Sequence, residues 1–336
     1  MQDILTILWK KRIKHYMKTK FAIGCLVQWY EADIIKEYIE TLRDAVMEYD
    51  GEVKIEIILA LNEELEKSSN DRFKKTLPGK FQQMIWDLEA AINGPVHYTW
   101  RADLYTIADY RRDFNNSYCE QADVLVWGES DMLVPKQMFT VLDMLHQNAQ
   151  TPKYVATFGI CKMWDDTWKA LEHPEFTDKP FIEGDTENWW SLRYNMNKTE
   201  MNSFNDKIDE LEVTQITPHK FNGCGLVISS DVIKSGVNIP KSVFFVHEDT
   251  AFMLMIRQVL GDIPQYHIKN ILLVHNRKHP KKRMFVAGEE KFSGDDIGAK
   301  RKSHAWYDKA NKMCEQNCYN NFNPNYKPFT WEDVWK

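Results

Sequence analysis

Val124-Leu-Val-Trp-Gly-Glu-Ser-Asp-Met-Leu-Val-Pro135 is the stretch on which the reading of this chain turns. An apolar run stops at Gly128 and delivers two carboxylates, Glu129 and Asp131, separated by one serine. Four uncharged apolar residues, two of them β-branched, suit a strand covered on both faces, as in parallel sheets. Gly128 is expected to permit a bend at its end. Acids at the carboxyl end of such a strand lie where open α/β sheets bind their ligands, and hard carboxylate oxygens suit a divalent cation. Gly128-Glu-Ser-Asp131 also reads as an ordinary turn, with Asp131 capping a helix that starts near Pro135.

Working outward, the residues before this stretch alternate strands and helices. Phe21–Val27 is a continuous apolar run that predicts a first buried strand, and Ile34, Ile35, Tyr38, Ile39, Leu42 and Val46 then recur at helical spacing from Asp33 onward. A second strand is predicted between Glu52 and Leu61, which gives β-α-β with a crossover long enough for parallel pairing. Helices are expected around Phe73 and from Lys80 to Ile92, a short strand at Val96–Thr99, and a helix over 107–122 leading into the quoted stretch. After it come a helix from Lys136 to Gln147 and a strand from Tyr154 to Ile160.

Residues 161–215 break the alternation, with Trp164, Trp168, Trp189 and Trp190 among many acids, and read as an insertion. Its tryptophans suit stacking on sugar rings or flat bases, or else the packing of a small lobe. Phe221-Asn-Gly-Cys-Gly-Leu-Val-Ile-Ser-Ser-Asp231 then combines a Gly-x-Gly turn with a strand and a helix start. Phe244-Phe-Val-His-Glu-Asp249 opens a helix, where Glu248 and Asp249 fit capping and dipole chemistry. A last apolar strand, Ile271–Val274, ends on His275. Beyond it lies a polar, aromatic tail expected to dock back through Phe329–Trp335.

Composition narrows the class. With 336 residues, 43% of them hydrophobic and 13% aromatic, the chain can bury a substantial core. A net charge of −6 argues against a nucleic-acid coat protein, although Lys and Arg gather in residues 1–20 and in 275–283. The first eighteen residues carry an apolar stripe with a basic far side, expected as an amphipathic helix that packs on the body or touches anionic lipid. Cys25, Cys119, Cys161, Cys224, Cys314 and Cys318 show no C-x-x-C pair, which favours reduced thiols; Cys314 and Cys318 are also spaced for a disulfide or half a metal site. With no apolar segment near 18 residues and no signal-peptide pattern, a cytoplasmic protein without integral membrane association is expected.

Taken in order, strand and helix, second strand, acid pair at a strand end, Gly-x-Gly, Glu-Asp at a helix start and a strand ending in histidine resemble the GT-A glycosyltransferases, especially the inverting kind with a D-x-D element. The resemblance spans residues 21–279, with 1–20 as a basic N-terminal helix and 280–336 as a C-terminal extension. It implies a Rossmann-like α/β fold, a mostly parallel central sheet flanked by helices. One departure is plain: Glu129-Ser-Asp131 stands where the family has two aspartates.

The resemblance also implies the chemistry. A divalent cation, Mn2+ or Mg2+, held by Asp131, His275 and Glu129, would stabilise the diphosphate leaving a nucleotide sugar, with UDP-sugars as the expected donors. Asp249, or Glu248 in its place, would take the acceptor's proton. Gln28, Glu31, Asn62, Arg111, Arg112, Asn115, Glu129, Gly223 and Arg277 are the expected donor contacts. The acceptor suggested is a hydroxymethylated base in DNA, as for the DNA-modifying enzymes of phages and kinetoplastids, which the basic clusters and tryptophans would suit. A saccharide or lipid-linked sugar is the alternative. A silent sugar- or nucleotide-binding protein and a nucleotidyltransferase are the rival classes; the latter ordinarily wants a Gly-rich phosphate loop, and Gly24 stands alone near the first strand.

Overall fold

The computed structural model describes residues 4–7, 17–32, 34–62, 71–160, 171, 173, 197–217, 221–275 and 305–336. Its strands are β1 (Ile4–Ile7), β2 (Phe21–Gln28), β3 (Val53–Ala60), β4 (Val96–Arg101), β5 (Val124–Trp127), β6 (Met132–Leu133), β7 (Val155–Ile160), β8 (Leu211–Ile216), β9 (Val227–Ser229) and β10 (Gln265–His275). The helices are α1 (Ile35–Glu48), α2 (Asp71–Ile92), α3 (Ile107–Tyr118), α4 (Met138–Asn148), α5 (Lys198–Asn205), α6 (Ser230–Lys234), α7 (Glu248–Leu260), α8 (Ala305–Asn320) and α9 (Trp331–Trp335).

All ten strands join one sheet in the order β1-β8-β10-β7-β9-β5-β2-β3-β4, with β6 beside β10. Parallel pairing links β4, β3, β2 and β5, and also β7 with β10. Short β9 is antiparallel to both β5 and β7, so those two neighbours run the same way. The carboxyl ends of β2, β3, β4, β5, β7 and β10 therefore emerge on one edge. This is the mostly parallel, helix-flanked α/β architecture that the resemblance implied.

Burial explains why those patterns were continuous rather than alternating. Every residue of β5 and all of β2 except Gln28 is buried, so both faces of these strands are covered and polar side chains find no outlet. One stripe of α1, Ile35, Tyr38, Ile39, Leu42 and Ala45, is buried in the same core. Each fully buried aliphatic side chain of this kind contributes roughly 1.5–3 kcal/mol. Thr106 starts α3 by accepting a hydrogen bond from the Asp109 amide while Asp109 reaches back to Thr106, a reciprocal cap. Helix α3 then packs Tyr110 and Phe114 against Gly24 of β2, where a Cβ would lie 2.3 Å from the Tyr110 hydroxyl oxygen.

The structure differs from the sequence expectations in four places. Ile4–Ile7 is not helical: it forms an edge strand paired antiparallel with β8. Isoleucine-rich tetrads favour the pleated conformation, and β8 offers an open ladder to complete. Helices expected separately around Phe73 and Lys80 are one helix that carries Pro78 inside it. The span 161–215 does not stand wholly apart from the sheet, because β8 pairs with β10; Trp164, Trp168, Trp189 and Trp190 lie outside the described residues. Gly128 lacks a positive φ, so what it supplies is space, not a bend: a Cβ there would stand 2.5 Å from the Tyr38 hydroxyl and 3.0 Å from the Gly24 carbonyl oxygen.

The tail docks back as expected. Phe244 and Phe245 pack with Trp306, Tyr307, Trp331 and Phe329 in a cluster separate from the main core. At its centre Asn317, fully buried, uses its whole amide. Its Nδ2 donates to the carbonyls of Ser242 (2.7 Å) and Phe329 (2.9 Å), and its Oδ1 accepts from the Tyr326 hydroxyl (2.8 Å) and the Phe329 amide (2.9 Å). Cys314 and Cys318, which sit on the same helix, are both buried and reduced. Replacing Asn317 by alanine strands several buried partners at once, so Asn317→Ala is expected to cost about 2–4 kcal/mol, read as a lower urea midpoint at unchanged slope.

Candidate active site

Strand direction brings the site together. β5 and β10 end on the same edge, and the antiparallel β9 begins there, so Glu129 and Asp131, His275, and the 222–225 turn meet at one place. After Asp131 the chain turns back along β10, pairing Met132 with His275 and Leu133 with Val274. That antiparallel step sets Asp131 beside the imidazole. Asp131 is buried, and its helix-capping reading falls away because the next helix begins only at Met138, behind Gln137.

His275 faces both acids. Its Nε2 lies 3.0 Å from Glu129 Oε2 and 3.3 Å from Asp131 Oδ1. The other oxygen of Glu129 accepts from Arg111 Nη2 at 2.7 Å. Arg111 reaches in from α3 and is 1% exposed. Its Nη1 donates to Glu248 Oε1, its Nη2 also donates to the Gly223 carbonyl at 3.1 Å, and its guanidinium lies 4.7 Å from the Trp127 ring centroid. Gly223 makes this possible: a Cβ there would stand 2.0 Å from Arg111 Nη1. Thus one guanidinium ties the acids after β5 to the acids that open α7.

The carboxylates respond differently to this arrangement. Burial opposes the charge on Glu129, but His275 and Arg111 outweigh it and hold the group well below the usual carboxylate range. For Glu248 burial wins: with Asp249 adding repulsion and Arg111 pulling the other way, its pKa rises from 4.5 to about 7. Burial alone would lower Arg111, yet Glu248, Glu129 and Asp249 together raise it above its ordinary value. Asp249 is less buried than Glu248 and turns its Oδ1 onto the Thr250 amide, 2.6 Å away.

The segment before α7 is held by the tail. His247, in the left-handed region at φ 67, has its Nε2 3.1 Å from Asn311 Oδ1 of α8. The Thr106 hydroxyl donates to the Phe244 carbonyl at 2.9 Å, and Arg112 donates to the carbonyls of Ile239, Pro240 and Val243. Arg112 therefore anchors the approach to α7. Asn115 accepts from Trp127 Nε1 and donates to Asn238. Both polar groups are spent on framing the site, next to but not among the carboxylates.

Of the other residues predicted from sequence, Gln28, Glu31 and Asn62 form their own group at the tips of β2 and β3. Asn62 Nδ2 donates to Gln28 Oε1 at 2.7 Å, Gln28 N donates to Glu31 Oε2 at 3.0 Å, and Asn62, at φ 44, accepts from the Tyr105 amide. Arg277 lies outside the described residues. One residue escaped the sequence reading as a site candidate. Cys224 sits beside His275, and its Sγ, a Glu129 carboxylate oxygen and a His275 ring nitrogen lie within 4.8 Å of one another. Burial pushes its thiol pKa up, with His275 acting against that. The signal available was a cysteine between two glycines at the entry to a strand.

No protein-family model matches the chain, and no curated protein matches it. Among solved structures it is similar to S. aureus TarS 1-349 in complex with UDP-GlcNAc, at 10% identity over 90% of this chain and 73% of that one, with a TM-score of 0.45. It is also similar to GalNAc-T7 with UDP, GalNAc and Mn2+ (10% identity, 89% and 51%, TM-score 0.42). A third similarity is to glucosyl-3-phosphoglycerate synthase from Mycobacterium tuberculosis with Mn2+, UDP and glucosyl-3-phosphoglycerate (10% identity, 74% and 70%, TM-score 0.39).

The raised Glu248 has a measurable sign. Facing Arg111, Asp249 and Glu129, it binds its proton more tightly folded than unfolded, so the stability it contributes is full below 4.5 and is lost as pH rises through about 7. Glu248→Gln removes that dependence. Its melting temperature relative to the unsubstituted protein is therefore expected to climb between pH 5 and pH 8, and a flat difference across that window would refute the assignment.

Proposed function

We propose that the chain is a metal-dependent GT-A glycosyltransferase that moves a sugar from a nucleotide-diphosphate sugar to a hydroxyl acceptor, with inversion. The observation that carries this reading is the shared guanidinium: Arg111 binds Glu129 and Glu248 directly, so the acid element after β5 and the acid pair opening α7 lie side by side. A transferase of this kind needs both, one to manage the leaving diphosphate and one to deprotonate the acceptor.

The residues around His275 fit a divalent cation. Two carboxylates converge on one imidazole nitrogen within 3.3 Å, a cluster of hard oxygen and nitrogen donors in a buried setting. Asp131, Glu129 and His275 would hold the ion, and the resemblance implies Mn2+ or Mg2+. When bound, such an ion supplies charge stabilisation for a departing nucleotide. The protein's own groups do the rest. Arg111 fixes Glu129 and Glu248 relative to each other. Asp249, the more accessible of the acid pair, is the base for the acceptor hydroxyl, while Glu248 is committed to Arg111. Gln28, Glu31 and Asn62, at neighbouring strand tips on the same edge, form the nucleotide side of the cleft.

For the acceptor, a hydroxymethylated base in DNA remains our reading and a saccharide the alternative. The basic run 277–283 and the insertion tryptophans that favour DNA lie outside the described residues. No helix among the described residues is long and apolar enough to cross a membrane.

A panel of nucleotide sugars with and without Mn2+, read by thermal shift, tests the donor: a native-state ligand at one hundred times its Kd adds about 2.7 kcal/mol. One UDP-sugar should raise the melting temperature only with the metal present. Asp131→Ala should abolish that increment and any metal-dependent hydrolysis. Asp249→Asn should keep the increment and lose transfer, by about 100-fold or more. Unchanged turnover in Asp249→Asn would remove it from the base role, and a silent panel would favour a different class of ligand.

A further inference from the structure

The donor set near His275 is not purely hard. Alongside a carboxylate oxygen of Glu129 and a ring nitrogen of His275, it contains the sulfur of Cys224, all three within 4.8 Å of one another. Ligands at 2.0–2.3 Å on a tetrahedral ion stand roughly 3.3–3.8 Å apart, so a modest inward closure would place all three on one ion. The backbone is built to present this sulfur. Gly223 and Gly225 flank it, Gly225 sits at φ 69, and the Cys224 amide donates to Asn222 Oδ1 at 2.8 Å, which pins the turn.

Charge supplies a second, independent reason for a cation here. Glu129 and Asp131 share one imidazole, and Glu129 and Glu248 share one guanidinium. Glu129 and Asp131 therefore have between them one imidazole and a guanidinium that Glu248 also holds, and a cation seated here would complete their neutralisation.

We propose that Cys224 is a metal ligand, forming with Glu129 and His275 a three-donor site that takes a thiophilic divalent ion such as Zn2+ or Co2+ in preference to Mg2+. The inference rests on the metal-dependent reading above and changes which ion that reading requires. Thiolate and imidazole favour Zn2+ and Co2+, whereas Mg2+ keeps oxygen ligands and dehydrates reluctantly. Asp131, 3.3 Å from His275 Nε2, is the further donor at hand beside these three. On binding, the Cys224 thiol gives its proton to solvent as the sulfur–metal bond forms, and no electron is transferred.

The test titrates Co2+ into the reduced, metal-stripped full chain. A near-ultraviolet sulfur-to-cobalt charge-transfer band should grow in to one equivalent and disappear in Cys224→Ser. That variant should also lose Co2+ affinity by at least about tenfold, the equivalent of 1.4 kcal/mol, while Mn2+ affinity read by electron paramagnetic resonance changes less. Should Cys224→Ser fail to fold, zinc X-ray absorption on the unsubstituted chain decides: one sulfur near about 2.3 Å supports the proposal, and a shell of nitrogen and oxygen alone overturns it. Co2+ binding without the band, or a band that survives in Cys224→Ser, also overturns it while leaving metal dependence standing. Binding of neither Co2+ nor Mn2+ would remove the metal-dependent reading itself, and this proposal with it.

Discussion

A guanidinium buried between two carboxylates is the constraint around which the molecule is arranged. Moving Arg111 out of water costs several kcal/mol, and a single partner would not return it. Four contacts do: two acids, a backbone carbonyl and the face of Trp127. The four partners come from three parts of the chain, the end of β5 (Trp127 and Glu129), the start of α7 and the 222–225 turn. The ion pair therefore fixes the relative positions of three segments distant in sequence. Arginine suits this role where lysine would not, because its planar fork addresses two acids in fixed directions.

The two acids on that fork are not equivalent. Glu129 has His275 beside it as well as Arg111 and keeps its charge, whereas burial, with Asp249 adjacent, makes Glu248 hold a proton more readily. One guanidinium thus joins an ionised group on the side of the imidazole to a more weakly acidic group at the head of α7, and the difference comes from burial and the other neighbours, not from the shared cation.

The sequence made the sheet legible where burial was two-sided. Phe21–Val27, Val124–Trp127 and Ile271–Val274 are apolar without alternation because both faces are covered, and the residues after the last two meet, while Gln28 after the first joins Asn62 instead. What stayed hidden depended on partners far away. Gln265–Asn270 lengthens β10 through pairing with β7 and β8, and Ile4–Ile7 becomes a strand only because β8 offers it an edge. Arg111 and Arg112 are adjacent in sequence, yet one faces the acids and the other braces the 239–243 loop; only the packing of α3 separates them. Nothing local to Cys224 announces that a histidine 51 residues later will lie beside it.

The docking of the tail also decides which parts of the molecule open together. Phe244, Phe245 and His247, which lead into the acids of α7, are seated against Trp306, Asn311 and Trp331. Local opening of α8 and α9 would withdraw the wall that positions Glu248 and Asp249 while the sheet stayed closed. The head of α7 thus belongs to the cooperative unit of the tail and not to that of the strands.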